Sequence, residues 1–249
     1  MRYSNNSISI DFNLVVDYKY KHQPYKTYLL SMKRKGSLIM DRIITYFQTN
    51  WQEYLRLLGQ HLEITLIVVV IAIVIAVPLG IICSKYRGFQ AGCERFFGFL
   101  RVVPSLAVLI ACIPIVGTGV LPAVIALAIL AIPPILLNTA QAFINLPEQT
   151  IEAAIGMGMS DRCCFFKIKM PLAFPLIFTG IRTAVVEVIA SATLAAYIGA
   201  GGLGSIIFTG LGLMRTDLLI IGGGSVAILS LFTGWLLDSY YKRKTRYLG

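Results

Sequence analysis

The chain has 249 residues, of which 57% are hydrophobic and only 14% are charged. A soluble domain of this length needs more polar surface than this composition supplies, so we expect a membrane protein. The net charge of +10 does not indicate nucleic-acid binding, because the basic residues lie between apolar runs and do not form one stripe with aromatic residues.

The five cysteines form no C-x-x-C pair, and the chain has only two histidines. This pattern predicts reduced thiols and no metal site. The cysteines are Cys83, Cys93, Cys112, Cys163 and Cys164.

The first 61 residues differ from the rest of the chain. Residues 1–39 hold seven Lys and Arg against two acids and have no signal-peptide core, so we expect a non-native or disordered extension, with translation beginning at Met40. Residues 40–61 alternate aromatic and aliphatic side chains with polar ones. This pattern is typical of an amphipathic helix that lies in the membrane interface.

A spanning helix needs roughly 20 mainly apolar residues, because the hydrocarbon of a bilayer is about 30 Å thick. Five segments satisfy this: residues 62–82, 96–116, 121–143, 172–198 and 218–237. The predicted fold is therefore all-α and polytopic, with about five transmembrane helices within residues 62–237. Prolines interrupt several of them, which indicates either helices that line a cavity or simple kinked packing.

Lys and Arg in short loops favour the cytoplasmic side, and their distribution predicts the orientation. From Met40 onward, one side holds ten of them and the other holds three. The predicted N-terminus is therefore outside, and the basic tail, residues 238–249, is inside. The ten are Lys85, Arg87, Arg95, Arg162, Lys167, Lys169, Lys242, Arg243, Lys244 and Arg246, and the three are Arg42, Arg56 and Arg215.

Residues 147–171 form the loop between the third and fourth predicted spans. Pro147 and Glu148 suit the first turn of a short helix, and Gly158 suits the left-handed residue that ends one. Ser160 or Asp161 is then expected to cap a second short helix that runs to Pro171. The loop is predicted to be a cytoplasmic helical elbow with a small-residue face, of a kind that docks in a groove on another protein.

The spacing in this loop is specific. It contains Glu-Ala-Ala, three residues, Gly, nine residues, then Ile-x-Met-Pro, which resembles the EAA loop of permease subunits in bacterial ABC importers except for Met170 in the Leu position. The resemblance implies that the loop couples the chain to an ATPase. The residues that match the coupling pattern are Glu152, Ala153, Ala154, Gly158, Ile168 and Pro171.

Four further stretches, residues 101–106, 134–139, 180–184 and 192–204, look like the osmoprotectant importers for glycine betaine, carnitine or choline. This resemblance implies a bacterial cell-membrane permease that works by alternating access. Its implied partners are ABC ATPase subunits, a second permease subunit, alike or different, and an extracytoplasmic substrate-binding protein. A permease for methionine or another small solute, or an ATP-independent channel or carrier, stays an alternative.

The chain has no G-x-x-x-x-G-K-[ST] motif, so we expect ATP and Mg to be bound by a partner ATPase and this chain to be no enzyme. The spacing Gly199-x-Gly201-x-x-Gly204 matches the dinucleotide-binding fingerprint. However, it follows a predicted spanning helix and not a strand of a βαβ unit. We predict instead a close-packed bend near the outer mouth of the pathway.

Glu187 lies near the middle of the fourth predicted span, where a charge is costly and a functional role is the default hypothesis. Two interpretations stay open: a carboxylate that faces the pathway and favours a cationic substrate, or a protonated or Arg182-paired structural residue. Arg182 is itself a pathway candidate, and weaker ones, which share a polar side chain inside the predicted spans, are Asn138, Gln141, Thr183, Ser191 and Thr193.

Overall fold

The structure is a computed structural model that describes the backbone of residues 25–85 and 87–245. The chain divides into two units, residues 1–49 and 50–249. Helix α1, Tyr25–Lys85, runs through this boundary and leaves helical geometry at Asn50, where φ is −121° and ψ is 22°. In the first unit, residues 25–49 are helical, and residues 1–24 of the predicted extension lie outside the described residues.

The second unit is a helical bundle. After the second half of α1, its α-helices are α2, Arg87–Leu100; α3, Ser105–Val116; α4, Val120–Ile144; α5, Glu148–Gly156; α6, Asp161–Cys164; α7, Met170–Ala195; α8, Gly204–Gly212; and α9, Thr216–Thr245. A π-helical turn, Phe165–Lys169, joins α6 to α7, and a short 3-10 turn, Ala196–Ile198, extends α7. The described residues contain no strand, which agrees with the all-α prediction.

Four helical stretches are long and apolar enough to cross a membrane, and a bent pair of helices brings the number to five. The stretches are Leu38–Lys85, Val120–Ile144, Asp161–Ile198 and Thr216–Arg243. They contain the first, third, fourth and fifth predicted spans. Within the predicted interfacial segment, residues 40–61, the backbone leaves helical geometry at Asn50, and residues 51–61 continue as a helix into the first span.

The second predicted span is not one helix. Its two halves, Ala91–Leu100 and Ser105–Val116, meet at an angle of 89°. The break lies at residues 101–104, just before α3, whereas Pro114 stays inside α3. Pro104 has φ −59° and ψ 130°, an extended conformation that ends the preceding turn.

The two halves of this bent pair lie toward opposite ends of the bundle. In α2, Glu94 accepts a hydrogen bond from Gln141 near the end of α4, at 2.7 Å. Beyond α3, the Gly119 N–H donates to the Ile198 carbonyl at the far end of α7, at 2.8 Å. The start of α4 thus meets the end of α7, so these two helices run antiparallel. Helix α2 lies at the end of α4 and the residues after α3 at its start, so the bent pair crosses the bundle from one end to the other. This arrangement favours a broken span over a re-entrant loop.

Helix α4 packs between α1 and α7 and holds much of the core. A Cβ atom built on Gly80 of α1 would lie 2.7 Å from the Thr139 Cβ, and one built on Gly180 of α7 would lie 2.7 Å from the Asn138 Cβ and 2.8 Å from the Pro134 carbonyl oxygen. Glycine is therefore required at both crossings, because real Cβ atoms do not approach so closely. Small residues at such contacts are typical of membrane helices.

All five cysteines are free thiols. Two of them meet, however: the Cys83 Sγ near the end of α1 lies 2.6 Å from the Cys93 Sγ of α2, and both side chains are buried. This contact joins α2 to the end of α1.

The crossing of α4 and α7 gives a stability prediction. Gly180→Ala should lower the free energy of unfolding by about 1–3 kcal/mol, because the new methyl group forces the two backbones apart. A thermal unfolding midpoint measured in detergent should fall accordingly, by roughly 2–4 °C for each kcal/mol. Gly223→Ala is the matched control, since a Cβ built at Gly223 meets nothing within 4 Å. Equal midpoints for the two variants would contradict the close crossing.

Candidate functional site

The loop between α4 and α7 has the local structure that its sequence favours at three points. Pro147 is the N-cap of α5 and Glu148 is its first residue, where a carboxylate meets the positive end of the helix dipole. Gly158 has φ +81°, the left-handed conformation predicted for it. Ser160 caps α6, because its Oγ accepts a hydrogen bond from the Cys163 N–H at 3.4 Å.

One part of the predicted elbow is wrong. The second short helix does not stop at Pro171 but continues through the π-helical turn into α7, so the helical stretch Asp161–Ile198 is unbroken. Pro171 directly follows the π-helical turn, so its missing N–H lies inside the continuous helical stretch. Ile168, half-buried, lies in the π-helical turn itself. The helix that contains the fourth span therefore begins eleven residues earlier than the predicted Leu172, inside the loop.

The two alanines of the Glu-Ala-Ala motif face different surroundings. Ala154 is buried at 1% exposure, whereas Glu152 and Ala153 are exposed. Apolar side chains nearby are exposed as well: Ile155 at 52%, Met157 at 75% and Phe166 at 69%. The resulting surface, which we call the coupling surface, consists of Glu152, Ala153, Ile155, Met157 and Phe166.

The coupling surface is attached to the bundle by aromatic and apolar contacts. The rings of Phe143 at the end of α4 and Phe165 in the π-helical turn stack with centroids 5.8 Å apart. A cavity of about 180 Å³ lies beside this stack, and both Lys85 of α1 and Lys169 line it. The loop is therefore packed against the ends of α1 and α4.

A second cavity, of about 270 Å³, lies where the broken span meets α7. Glu187 and Ser191 of α7 line it together with Arg101 in the break and Ser105 at the start of α3. An Arg101 Nη2 atom lies 3.5 Å from a Glu187 Oε1 atom, and each side chain is about half exposed, at 45% and 47%. We call this space the bend cavity.

The hypothesis that Glu187 pairs with Arg182 is wrong. Arg182 instead donates from Nη2 to an Asp238 Oδ2 atom of α9, at 2.8 Å. Its Nε atom is buried and has no hydrogen-bond partner among the described residues. Arg182 therefore ties α7 to α9 and does not line the bend cavity.

The other predicted pathway residues are mostly engaged within their own helices. Asn138 Nδ2 donates to the Pro134 carbonyl at 2.7 Å, the Thr183 hydroxyl to the Thr179 carbonyl at 3.0 Å, and the Thr193 hydroxyl to the Ala190 carbonyl at 2.7 Å. Of the predicted set, Glu187 and Ser191 line the bend cavity together.

The bend cavity has a mixed lining. Leu127 and Leu130 of α4 line it together with the charged pair. The side chains that line it include no aromatic ring, so a cation–π cage for a quaternary ammonium group is not built here. Within the part of the chain that the structure describes, no cluster of three His, Cys, Asp or Glu side chains is arranged to hold a metal ion.

Residues 76–246, which contain the coupling surface, the bend cavity and the four helices around them, match the family "Binding-protein-dependent transport system inner membrane component". The chain belongs to this family. It is thus a membrane permease of a transport system and is built from the apolar helices described above.

The permease has relatives with established names. It is 43% identical over 209 residues to the carnitine transport permease protein OpuCB of Listeria monocytogenes, covering 83% of this chain and 94% of that protein. It is 38% identical over 198 residues to the glycine betaine/carnitine/choline transport system permease protein OpuCB of Bacillus subtilis strain 168, covering 80% and 91%.

A solved structure shares the fold. The inward-facing MetNI methionine ABC transporter contains a chain that aligns with a TM-score of 0.63 and 22% identity, over 79% of this permease and 96% of that chain. At this identity the likeness establishes the architecture only. It agrees with the all-α prediction.

Two residues that sequence reasoning missed hold the glycine bend of the permease. The bend has positive φ at Gly199, Gly201 and Gly202, as expected for a tight turn. Gln60 Oε1 accepts a hydrogen bond from the Gly202 N–H at 3.3 Å, and buried His61 approaches the Ile189 carbonyl with Nε2 at 3.1 Å. A polar Gln-His pair at the start of an apolar span was the available signal for this contact.

Arg101 was the other missed residue. It lies in a stretch that resembles the osmoprotectant permeases, but no partner for its charge was predicted. An arginine inside a predicted span, four positions after Phe97 and three before Pro104, was the signal, because such a charge needs a partner or water.

The Arg182–Asp238 pair gives a stability prediction. Asp238→Asn should lower the free energy of unfolding by about 1 kcal/mol, since it removes the carboxylate from an arginine whose Nε already lacks a partner. Glu53→Gln makes the same chemical change in the exposed Arg56–Glu53 pair and should cost less than Asp238→Asn. Thermal unfolding in detergent compares the two, and a larger loss for Glu53→Gln would refute the structural role of Asp238.

Proposed function

We propose that this permease is the transmembrane subunit of an ATP-driven importer for quaternary ammonium osmoprotectants such as glycine betaine, carnitine and choline. The observation that carries the proposal is the identity of 43% and 38%, across at least four fifths of the chain, to two permeases named for these solutes. Importer permeases of this kind need ATPase subunits and a substrate-binding protein, and both are part of the proposal.

The coupling surface is the proposed contact with the ATPase. It joins an acidic side chain, a small residue and three exposed apolar side chains on one protruding loop. Exposed apolar patches of this kind mark protein interfaces, and a short helix that fits a groove is a recurrent docking element. The proposed coupling role extends to the matching residues Glu152, Ala153, Gly158, Ile168 and Pro171. Ala154 is buried, so its proposed role is to pack α5 against the bundle and not to contact the ATPase.

The remaining partners follow from the same proposal. ATP and Mg bind to the ATPase, and this chain supplies no nucleotide site. A second permease subunit, identical or different, completes the pathway, and an extracytoplasmic binding protein delivers the solute at the end with the glycine bend. ATP-driven closure of the ATPases moves the coupling surfaces and alternately opens the pathway to each side.

The substrate class is tested by uptake. The experiment reconstitutes the permease, its ATPase and its binding protein in proteoliposomes. These should import labelled glycine betaine, carnitine or choline only when ATP is present on the side of the membrane where the ATPase lies. An excess of unlabelled methionine should not compete. Competition by methionine would favour an amino-acid importer, and uptake that persists without ATP would favour a channel or carrier.

Gly158 gives a prediction for coupling. Gly158→Val should leave membrane insertion intact but reduce solute uptake for each ATP hydrolysed by about threefold or more, because valine strains the left-handed turn by roughly 1–2 kcal/mol. Gly117→Val is the matched control: Gly117 has φ +88° and an open surrounding, but it lies in the turn between α3 and α4. Uptake and ATP hydrolysis are measured on the same proteoliposomes.

The control separates general backbone strain from a coupling defect. Gly117 has φ +88° and ψ −156°, a conformation almost exclusive to glycine, so Gly117→Val carries at least as much backbone strain. It lies far along the chain from the coupling surface and should keep the wild-type ratio of uptake to ATP hydrolysis. If both variants keep that ratio, or both lose it equally, Gly158 has no specific role in coupling.

A further inference from the structure

The bend cavity contains an ion pair that neither neighbouring helix requires for its own hydrogen bonding. Arg101 and Glu187 belong to different elements and meet at 3.5 Å, longer than the 2.7–2.9 Å of a well-formed charge-assisted hydrogen bond. Both side chains stay about half exposed, and both line the bend cavity. Each charged group therefore keeps a face that is open to a second partner.

The pair lies near the middle of the membrane. Glu187 is eleven residues from Ile198 at one end of its helix, or roughly 16 Å at a rise of 1.5 Å per residue. Arg101 precedes α3, whose twelve residues extend roughly 18 Å toward Gly119, and Gly119 contacts Ile198. Both charges are therefore about half a hydrocarbon thickness from the end at which α3 and α7 meet.

The backbone at this depth indicates water or solute in the cavity. Residues 101–104 leave helical geometry between two helices at 89°. Non-helical backbone at membrane depth is tolerated where protein buries it or where it lines a polar cavity. Arg101 is exposed and Val103 and Ser105 line the bend cavity, so this break belongs to the second case. Broken helices at the midplane commonly form solute sites in transporters.

We propose that the bend cavity is a transient binding site for a zwitterionic solute, in which Arg101 binds the carboxylate and Glu187 attracts the quaternary ammonium group. The proposal rests on the proposed function and assigns it a specificity site. The cavity volume of about 270 Å³ is at the small end of ligand pockets, near 300 Å³, and suits a solute of few heavy atoms.

Charge balance explains why this site favours a zwitterion. The cavity holds one positive and one negative side chain, so a betaine places a charge opposite each and keeps the whole site neutral. Choline has no carboxylate. When its ammonium group pairs with Glu187, Arg101 is left without a counterion. The absence of aromatic side chains from the lining makes binding weak, as passage through the membrane requires.

Single neutralising substitutions should change selectivity in opposite directions. Arg101→Gln leaves one negative charge in the cavity, and the ratio of choline uptake to glycine betaine uptake should rise about threefold or more. Glu187→Gln leaves one positive charge, and the same ratio should fall about threefold or more. A threefold change corresponds to about 0.65 kcal/mol, which lies within the range measured for solvent-exposed ion pairs.

The experiment measures initial uptake of labelled choline and glycine betaine by the complete complex in proteoliposomes, each at saturating binding protein. The ratio is taken on one preparation, so it does not depend on how much permease folds. Arg101→Lys and Glu187→Asp keep the charges and should keep the ratio. The double variant restores neutrality, and its ratio should return toward wild type while both rates stay low.

Arg56→Gln and Glu53→Gln are the matched controls, because they neutralise an exposed pair outside the bend cavity and should leave the ratio unchanged. Equal ratios in Arg101→Gln and Glu187→Gln, or a shift in the same direction, would overturn the specificity site and leave the pair structural. Wild-type complex that imports neither solute would instead defeat the proposed function itself.

Discussion

Close contact between α4 and its two neighbours sets the arrangement of the permease. Gly80 of α1 and Gly180 of α7 both approach α4 where its side chains are Thr139 and Asn138, and neither contact leaves room for a Cβ atom. In lipid, helices gain little from burying apolar surface against one another, so such backbone approach supplies much of the packing. The bend cavity lies beyond this crossing, between α7 and the Leu127–Leu130 turn of α4.

The broken span follows from a second constraint, that every backbone polar group at membrane depth needs a partner. The break at residues 101–104 would be costly against lipid, but there it faces a cavity that also holds Arg101 and Glu187. The irregular backbone and the two charges therefore share one polar space. The irregular backbone or an unpaired charge would each be unfavourable against lipid. The cavity at the break gives all of these polar groups a common polar environment.

The sequence predicted the features that depend on local chemistry. Hydropathy located the first, third, fourth and fifth spans, and glycine's backbone freedom predicted the turn at Gly158 and the bend around Gly201. The sequence did not predict which proline breaks the second span. Pro104 and Pro114 both lie within this span, and only the structure shows that the helix breaks at Pro104 and continues through Pro114.

The sequence also did not predict which charged residues form ion pairs, because these pairs depend on how the helices pack. Arg182 lies five positions before Glu187 and was a plausible local partner, yet the helix turns it toward Asp238 on α9. Arg101 is 86 positions away from Glu187 and becomes its partner only through the bend. The continuation of the helix past Pro171 was likewise hidden, because a π-helical turn at Phe165–Lys169 widens the backbone just before the proline.

That continuation connects the two parts of the candidate site mechanically. From Asp161 beside the coupling surface to Glu187 in the bend cavity, the helical stretch runs for 26 residues, or roughly 39 Å at a rise of 1.5 Å per residue. If the coupling surface is displaced as proposed, either the π-helical turn distorts or α7 tilts as a unit. Glu187 belongs to α7 and Arg101 to the break in the second span, so a tilt would change the distance between the two charges. The same helix ends at Ile198, whose carbonyl accepts a hydrogen bond from the Gly119 N–H at the opposite end of the bundle. One continuous helical stretch thus connects the proposed coupling loop to the charged pair.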